Sequence, residues 1–365
     1  MGEAGRRHRT GDRRQGDRRR GTPRRVFLGL GLASAAALLA PLSSSARPRR
    51  GPAPPSPPLP PVKPPRLEPG DVVGLINPAA IPPRPDDLDV ITGRLRALDL
   101  VPRAAGHALD PSASDEQRAL DINEMFADPA VKALLPLRGG WGSARVLPFV
   151  DYELARRHPK VVIGYSDIVA LLLALHARSG LVTFHGPVGV SGWDPFTVRC
   201  LREVLFEGRA ALLANPGAED GKAAPIETLH PGRASGPLAG GNLTVMSSLI
   251  GSQYLSYEDS ILFIEEVQEP VSEVDRMLTQ LEQAGILARA RGFVFGQCTG
   301  CMQAGLDPSL TLARILEERI RPLGIPAWSG AAIGHIERQF VLPLGVPAEI
   351  DAAAGTIRLL EPAVI

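Results

Sequence analysis

The stretch "KVVIGYSDIVALLLALHARSG", residues 160–180, decides the fold. Its β-branched start up to Gly164 is typical of a buried strand, and the leucine-rich run after Asp167 has the length and spacing of a helix. Gly180 is the kind of residue at which such a helix ends. Because a buried strand that passes directly into a helix is the repeating step of a parallel α/β sheet, the stretch predicts one such step with Ser166 at its turn.

The same alternation runs through residues 71–204. Apolar runs such as "DVVGLI" at 71–76 and "VKALLPL" at 131–137 are followed by segments with helical spacing. Strands that are apolar on both faces belong to a parallel sheet covered by helices on each side, so we predict an α/β fold with a parallel-sheet N-terminal domain. In such sheets ligands bind beyond the carboxyl ends of the strands. The loops expected at that rim are Asn77, 138–142, 164–167 and 185–187.

Beyond residue 204 the pattern changes. Residues 205–237 are polar and rich in Gly, Ala and Pro, which is typical of an inter-domain linker or an irregular crossing. Residues 238–365 combine helical segments with short strands and turns. The sequence therefore predicts a smaller, mixed, β-containing C-terminal domain after the linker.

The amino terminus has the composition of an export signal. Residues 1–46 contain 10 Arg and 3 acidic residues, and the pair Arg24 and Arg25 precedes a moderately apolar run at 26–42. With the small residues 44–46 as a cleavage site, this is the arrangement of a twin-arginine signal. We predict an exported, periplasmic protein. If the signal stays uncleaved, it would anchor the chain to the inner membrane instead.

Residues 47–70 form a Pro-rich linker, predicted to be a semi-rigid polyproline spacer before a folded body that starts near Asp71. Without the leader, the formal charge changes from +1 to −6, because 30 basic and 36 acidic residues remain. No basic patch is evident in this part, so the sequence predicts no nucleic-acid partner.

The cysteines indicate neither a metal centre nor a redox centre. Cys298 and Cys301 form a CxxC in "GQCTGC", but no second pair and no His pair follows at zinc spacing. An exported chain favours either a structural disulfide or two separate thiols at this position. We predict no metal and no cofactor.

The stretch alone allows two interpretations of Ser166. A strand-to-helix turn lifts a side chain above the sheet and directs backbone N–H groups at a reacting atom, as a nucleophile requires. However, "GYSD" is not G-x-S-x-G, and serine is a preferred helix cap, so the stretch by itself favours capping.

A nucleophilic serine needs a base and an acid that orients the base. Of the seven histidines, His185 and His335 are bracketed by glycine at the ends of apolar runs, and His335 is the better candidate by a small margin. Glu265 follows four apolar residues at a strand end, where a carboxylate needs a partner. Glu266 is expected on the opposite face, and Glu269 in a turn; solvated turn residues are the alternative for all three.

The turn "LRGGWGSAR" at 137–145 offers consecutive backbone amides. Such a turn can form an anion nest or half of an oxyanion hole, and it could equally bind phosphate. It lacks the Lys-Ser/Thr of a P-loop, and G-x-G-x-x-G is absent from the chain, so nucleotide binding is disfavoured.

Seven blocks together resemble the LD-carboxypeptidases, serine peptidases that act on muropeptides and include the microcin-immunity hydrolases. The blocks follow the family's order through nearly all of residues 71–365. They are "LRGGWGSARVLPFVDY", "IGYSDI", "TFHGP", "GPLAGGNLTV", "ILFIEEVQEPVSEVDRMLTQL", "GFVFGQCTGC" and "IPAWSGAAIGHIERQFVLPLGVPAEIDA".

The resemblance implies a Ser-Glu-His triad of Ser166, Glu265 and His335. It also implies an oxyanion hole made by the backbone N–H groups of Gly140 and Asp167, a muropeptide substrate, no metal, and often a homodimer. Arg138 would bind the terminal carboxylate of the substrate or orient the glycine turn.

Two departures concern substrate contacts. Trp141 stands where the family often has Tyr, and Asn77-Pro78 where it often has Ser-Pro. The implied reaction is removal of the terminal D-alanine from an L,D-linked murein tetrapeptide. The rivals are hydrolysis of peptidyl-adenylate toxins and an inactive periplasmic peptide-binding protein.

Overall fold

The computed structural model describes residues 59–80, 84, 86–217, 225–302 and 309–365. The predicted export signal and the first part of the predicted linker, 47–58, lie outside these residues. Within the described part of the chain, no helix is long and apolar enough to cross a membrane.

The predicted parallel sheet is confirmed and has six strands. Five of them are β1 (Val72–Ile76), β2 (Val101–Ala104), β3 (Val131–Pro136), β4 (Val161–Gly164) and β5 (Thr183–His185). These strands run parallel in the order β5-β4-β3-β1-β2. The helices connecting or following them are α1 (Asp87–Arg96), α2 (Asp115–Ala127), α3 (Ser143–Val146), α4 (Tyr152–Arg157), α5 (Val169–Ser179) and α6 (Pro195–Leu201).

Helix α5 explains why the leucine-rich stretch decides the fold. Its residues from Val169 to Leu175 are all buried, so the helix lies within the core rather than on one surface of it. The helix ends at Gly180, which has a left-handed φ of +73°. A left-handed residue is the common end of a helix, as the sequence predicted.

The second sheet is mixed and has eight strands. They are β6 (Leu212–Ala214), β7 (Glu227–His230), β8 (Arg233–Asn242), β9 (Ile261–Val267), β10 (Gly292–Thr299), β11 (Ala327–Ser329), β13 (Pro347–Asp351) and β14 (Thr356–Leu359). The neighbours β8, β9, β10 and β11 are parallel, and the strands beside them are antiparallel. Helices α7 (Leu243–Ser248), α8 (Val271–Gln283) and α9 (Leu312–Arg319) accompany this sheet.

The structure departs from the predicted boundaries at three places. Residues 59–70, expected in a spacer, are tied to the body: Val62 pairs with Leu181, and Leu67 is buried and donates its N–H to the Leu205 carbonyl. Residues 205–237, expected as a linker, contain β6, β7 and the start of β8.

The third departure is β12 (Leu342–Leu344), which comes from the C-terminal part of the chain but pairs antiparallel with β5. The first sheet is therefore completed by a strand from residues assigned to the other domain. This crossing also brings the loop before β12, which contains His335, to the carboxyl end of β5.

Cys298 and Cys301 form a disulfide at the end of β10, which decides between the two alternatives left by the sequence. The bridged turn is bonded to the segment that follows β9: the Gln268 N–H donates to the Thr299 carbonyl over 2.8 Å. The disulfide thus holds together a turn that supports the strand carrying Glu265.

Candidate active site

Ser166 lies on a sharp turn between β4 and α5. Tyr165 is extended, with φ −150°, whereas Ser166 has φ +62° and begins a 3-10 turn, Ser166–Ile168, that continues into α5. Left-handed backbone is costly for a residue with a side chain and is concentrated at functional sites. No side-chain capping bond closes the start of this 3-10 turn or of α5. The capping role favoured by the stretch alone is therefore wrong, and the backbone has the form of a nucleophile elbow.

The elbow depends on a glycine in β4. A Cβ at Gly164 would lie 2.6 Å from Ile168 Cγ2, far inside van der Waals contact. Because Ile168 belongs to the 3-10 turn and is fully buried, it has no space in which to move away. The glycine in "IGYSD" thus permits the strand and the turn to approach.

The glycine turn 138–142 lies against the elbow. A Cβ at Gly139 would be 3.0 Å from Ser166 Cβ and 3.1 Å from its Oγ, so the absence of a side chain at Gly139 lets the turn come close to Ser166. The Asp167 carboxylate fastens the turn by accepting the N–H of Ser143 over 2.9 Å. Sequence reasoning used only the backbone of Asp167 and missed both Gly139 and Ser143; the doubled glycine of "RGGWG" was the available signal.

Glu265 is the best-defined candidate for the acid. It lies near the end of β9, is fully buried, and accepts a hydrogen bond from His335 Nδ1 over 2.8 Å. Burial by itself would raise the pKa of this carboxyl, but the two neighbouring imidazoles, His185 and His335, outweigh burial and lower that pKa to about 2. The carboxylate is therefore ionised while shielded from water.

His335 is brought next to the elbow by the loop between β11 and β12. Its ring centroid is 4.7 Å from that of Tyr165, the residue before Ser166, and its side chain keeps 18% of its surface exposed. Gly334 precedes it with φ +113°. Within the described part of the chain no hydrogen bond joins His335 to Ser166 Oγ. Such bonds are often long before substrate binds.

His185, the rival candidate for the base, contacts the same carboxylate. Its Nε2 is 3.9 Å from Glu265 Oε1, and only 1% of its side chain is exposed. A base must reach the substrate, so the partly exposed His335 suits that role and the enclosed His185 does not. Both glycine-bracketed histidines therefore converge on Glu265, which the sequence did not foresee.

The other two acids of "EEVQEP" differ from Glu265. Glu266 is buried on the other face and accepts hydrogen bonds from Asn242 and from the backbone and hydroxyl of Thr244, so it fastens the start of α7. Burial raises the pKa of its carboxyl. Glu269 is half-buried in the turn after β9.

The predicted substrate-binding residues flank the glycine turn. Arg138 is half-buried at its start. Trp141 is 57% exposed, and its carbonyl accepts the N–H of Ala80 over 2.8 Å, which joins the turn to the loop after β1. An exposed indole at this rim is available to stack on a ligand.

The buried carboxylate predicts an acid-dependent stability difference. Because the pKa of Glu265 falls from 4.5 to about 2 on folding, its ionised form stabilises the folded state in full above pH 4.5, and this contribution is lost as pH falls through about 2. We expect the deficit of Glu265→Gln in the free energy of unfolding, measured by urea titration, to shrink over that interval. A deficit that stays constant there would contradict an ionised Glu265.

Comparison with known proteins identifies the family. Residues 73–186 match the family model described as the LD-carboxypeptidase N-terminal domain, and residues 235–350 match that of the LD-carboxypeptidase C-terminal domain. The chain therefore belongs to the LD-carboxypeptidase family, and it is a peptidase of the carboxypeptidase class.

Individual relatives cover most of the chain. The probable murein peptide carboxypeptidase of Bacillus subtilis is 36% identical over 283 residues, 74% of this chain and 86% of the relative. The structure of an MccF-like protein from Bacillus anthracis has a TM-score of 0.73 at 27% identity, covering 82% of this chain and 99% of that one. The crystal structure of muramoyltetrapeptide carboxypeptidase from Oxalobacter formigenes has a TM-score of 0.68 at 26% identity. The match covers 79% of this chain and 97% of that one.

Proposed function

We propose that this protein is a serine LD-carboxypeptidase that removes the terminal D-alanine from L,D-linked murein tetrapeptides. One observation carries the proposal: the fully buried Glu265 accepts a hydrogen bond from His335 Nδ1 over 2.8 Å, and the His335 ring packs against the residue that precedes Ser166. This is the acid–base–nucleophile order of a catalytic triad. The murein carboxypeptidase names of two relatives support the substrate class.

The proposed reaction follows from these positions. His335 accepts the proton of the Ser166 hydroxyl, and Oγ attacks the carbonyl that joins the L-centre of the diamino acid to D-alanine. Glu265 keeps the imidazole oriented and stabilises its positive charge without taking the proton. The imidazolium then protonates the amine of D-alanine, which leaves, and water hydrolyses the acyl-enzyme.

The oxyanion of each tetrahedral intermediate needs preorganised donors. We assign them to the backbone N–H of Asp167 and to the glycine turn at Gly139 and Gly140. The close approach of Gly139 to Ser166, together with the bond from Ser143 to the Asp167 carboxylate, supports this assignment because both fix the turn beside the nucleophile.

An exopeptidase must also recognise a free terminal carboxylate. Arg138, at the start of the same turn, is the proposed cation, since a guanidinium can bind a carboxylate through two parallel hydrogen bonds. Trp141 would provide an apolar surface beside it. With the predicted export signal, the substrates are murein peptides outside the inner membrane, and the proposed assembly is a homodimer.

The test is a product analysis. The purified chain without residues 1–46 is incubated with murein tetrapeptide, and we expect mass spectrometry to detect tripeptide and free D-alanine in equal amounts. A tetrapeptide that ends in L-alanine is the matched control and should remain intact. Release of L-alanine at the same rate would overturn the LD specificity.

The likeness to the MccF-like structure supports a second candidate function, hydrolysis of peptidyl-adenylate toxins. Aminoacyl-sulfamoyl adenosines in the same assay separate the two functions. Cleavage of these compounds with an intact tetrapeptide would favour the toxin hydrolase. Cleavage of either substrate would exclude the third alternative, an inactive peptide-binding protein.

A further inference from the structure

Three polar atoms near the proposed triad are buried without a hydrogen-bond partner among the described residues. They are Nδ1 and Nε2 of His185 and Oε1 of Glu265. A buried polar group left unpaired loses its hydrogen bonds to water without replacement, and native proteins contain few such groups. Three in one place therefore need an explanation beyond packing.

The surroundings of His185 are otherwise apolar and aromatic. Its ring stands edge-on to Phe263 at 5.4 Å and to Tyr165 at 6.2 Å. An apolar side chain at this position would pack against the same rings without leaving two nitrogens unpaired. The His185 imidazole therefore destabilises the fold unless it interacts with the nearby Glu265 carboxylate.

The two carboxylate oxygens of Glu265 have different neighbours. Oε2 accepts the bond from His335, whereas Oε1 has only His185 Nε2 near it, at 3.9 Å. This distance is about 1 Å too long for a direct bond. A displacement of about 1 Å between the two side chains would allow a hydrogen bond between His185 Nε2 and Glu265 Oε1.

We propose that His185 is a positioning residue whose Nε2–H donates to Glu265 Oε1 and fixes the carboxylate for His335. In the proposed serine mechanism, on which this inference rests, Glu265 then lies between two imidazoles. His335 exchanges protons with the substrate, and His185 stays enclosed. Its bond limits rotation of the carboxylate, so that Oε2 remains in line with His335 Nδ1 while the imidazolium forms.

A matched pair of variants tests the donor. His185→Gln keeps an N–H near the position of Nε2, whereas His185→Leu fills the space without a donor. We expect kcat for murein tetrapeptide to fall on the order of 10–100-fold in His185→Leu, the usual effect of removing a residue that orients a ligand group, and to stay within a few-fold of wild type in His185→Gln. KM should not change in either variant.

A double-mutant cycle shows whether the effect passes through Glu265. In a Glu265→Gln background, His185→Leu should cost less than threefold in kcat, because no carboxylate remains to be positioned. The proposal would be overturned if His185→Leu lowered kcat as much in the Glu265→Gln background as in the wild type. It would also be overturned if His185→Gln and His185→Leu lowered kcat equally. If His185→Leu does not fold, His185→Phe takes its place, since it preserves the aromatic packing.

A second readout does not depend on the substrate. The proton between His335 Nδ1 and Glu265 Oε2 should give a low-field NMR resonance that persists in His185→Gln and broadens or shifts upfield in His185→Leu. An unchanged resonance in both variants would contradict the proposal. Absence of tetrapeptide cleavage by the wild-type enzyme would instead refute the proposed function and leave this spectroscopic test in force.

Discussion

We expect the replacement of Ser166 by alanine to lower kcat for the proposed release of D-alanine by on the order of 10⁵-fold, since the proposed triad would then retain only the contributions of binding and the oxyanion hole. The physical reason is specific to this residue: its φ of +62° and the 3-10 turn after it give the backbone the sharp strand-to-helix bend of a nucleophile elbow. Steady-state assays with murein tetrapeptide measure kcat, and isothermal titration calorimetry with the same peptide should show that binding persists.

Ser143→Ala is the matched control. Ser143 also stands at a helix start beside the glycine turn and is fully buried, but its backbone N–H, not its hydroxyl, donates the hydrogen bond to the Asp167 carboxylate. The alanine variant keeps that N–H, so we expect kcat within a few-fold of wild type. More than 1% of wild-type activity in Ser166→Ala, confirmed by sequencing of the preparation, would overturn the triad.

Local patterns were sufficient to predict the parts of the fold that depend on neighbouring residues. The step from β4 through Ser166 to α5 is contained in one continuous stretch, and its apolar periodicity, glycine positions and helix end agree with one another. The rim of the first sheet followed from the same logic, because the carboxyl ends of parallel strands meet at one edge.

What the sequence could not predict depends on pairing between distant residues. Strand β12 has only three residues and no local feature that distinguishes the first sheet from the second as its partner. Strands β6 and β7 lie in a segment whose Gly, Ala and Pro content is typical of a linker, and they are stabilised by pairing with β14 and β11. Their pairing partners, not their own propensities, make them strands.

The site shows the same division. The glycines next to His185 and His335 indicated that both histidines were candidates for the base. The choice between them required their exposure and their distances to Glu265. Those distances join residues 70 or more positions apart in the chain. A single sequence contains the residue types of such a contact, and the fold supplies its geometry.

Gly334→Ala should lower kcat by roughly 100-fold or more, which is the loss expected when a catalytic constellation is displaced by about 1 Å. A Cβ at Gly334 would lie 2.8 Å from Glu265 Oε2, the oxygen that accepts the bond from His335, and 3.0 Å from Glu265 Cβ. Because Glu265 is fully buried, the carboxylate cannot move aside without losing its alignment. Its φ of +113° adds backbone strain to this clash.

Gly285→Ala separates the clash from the strain. Gly285 has φ +75°, but nothing lies within 4 Å of the Cβ that it would gain. We expect this variant to lose about 1–2 kcal/mol of unfolding free energy, the cost of left-handed backbone with a side chain, and to keep its kcat. If Gly334→Ala kept its kcat while losing stability to the same degree, the alignment of Glu265 Oε2 with His335 would not limit catalysis. A selective loss of kcat would instead mean that residue 334 must lack a side chain for Glu265 and His335 to stay aligned.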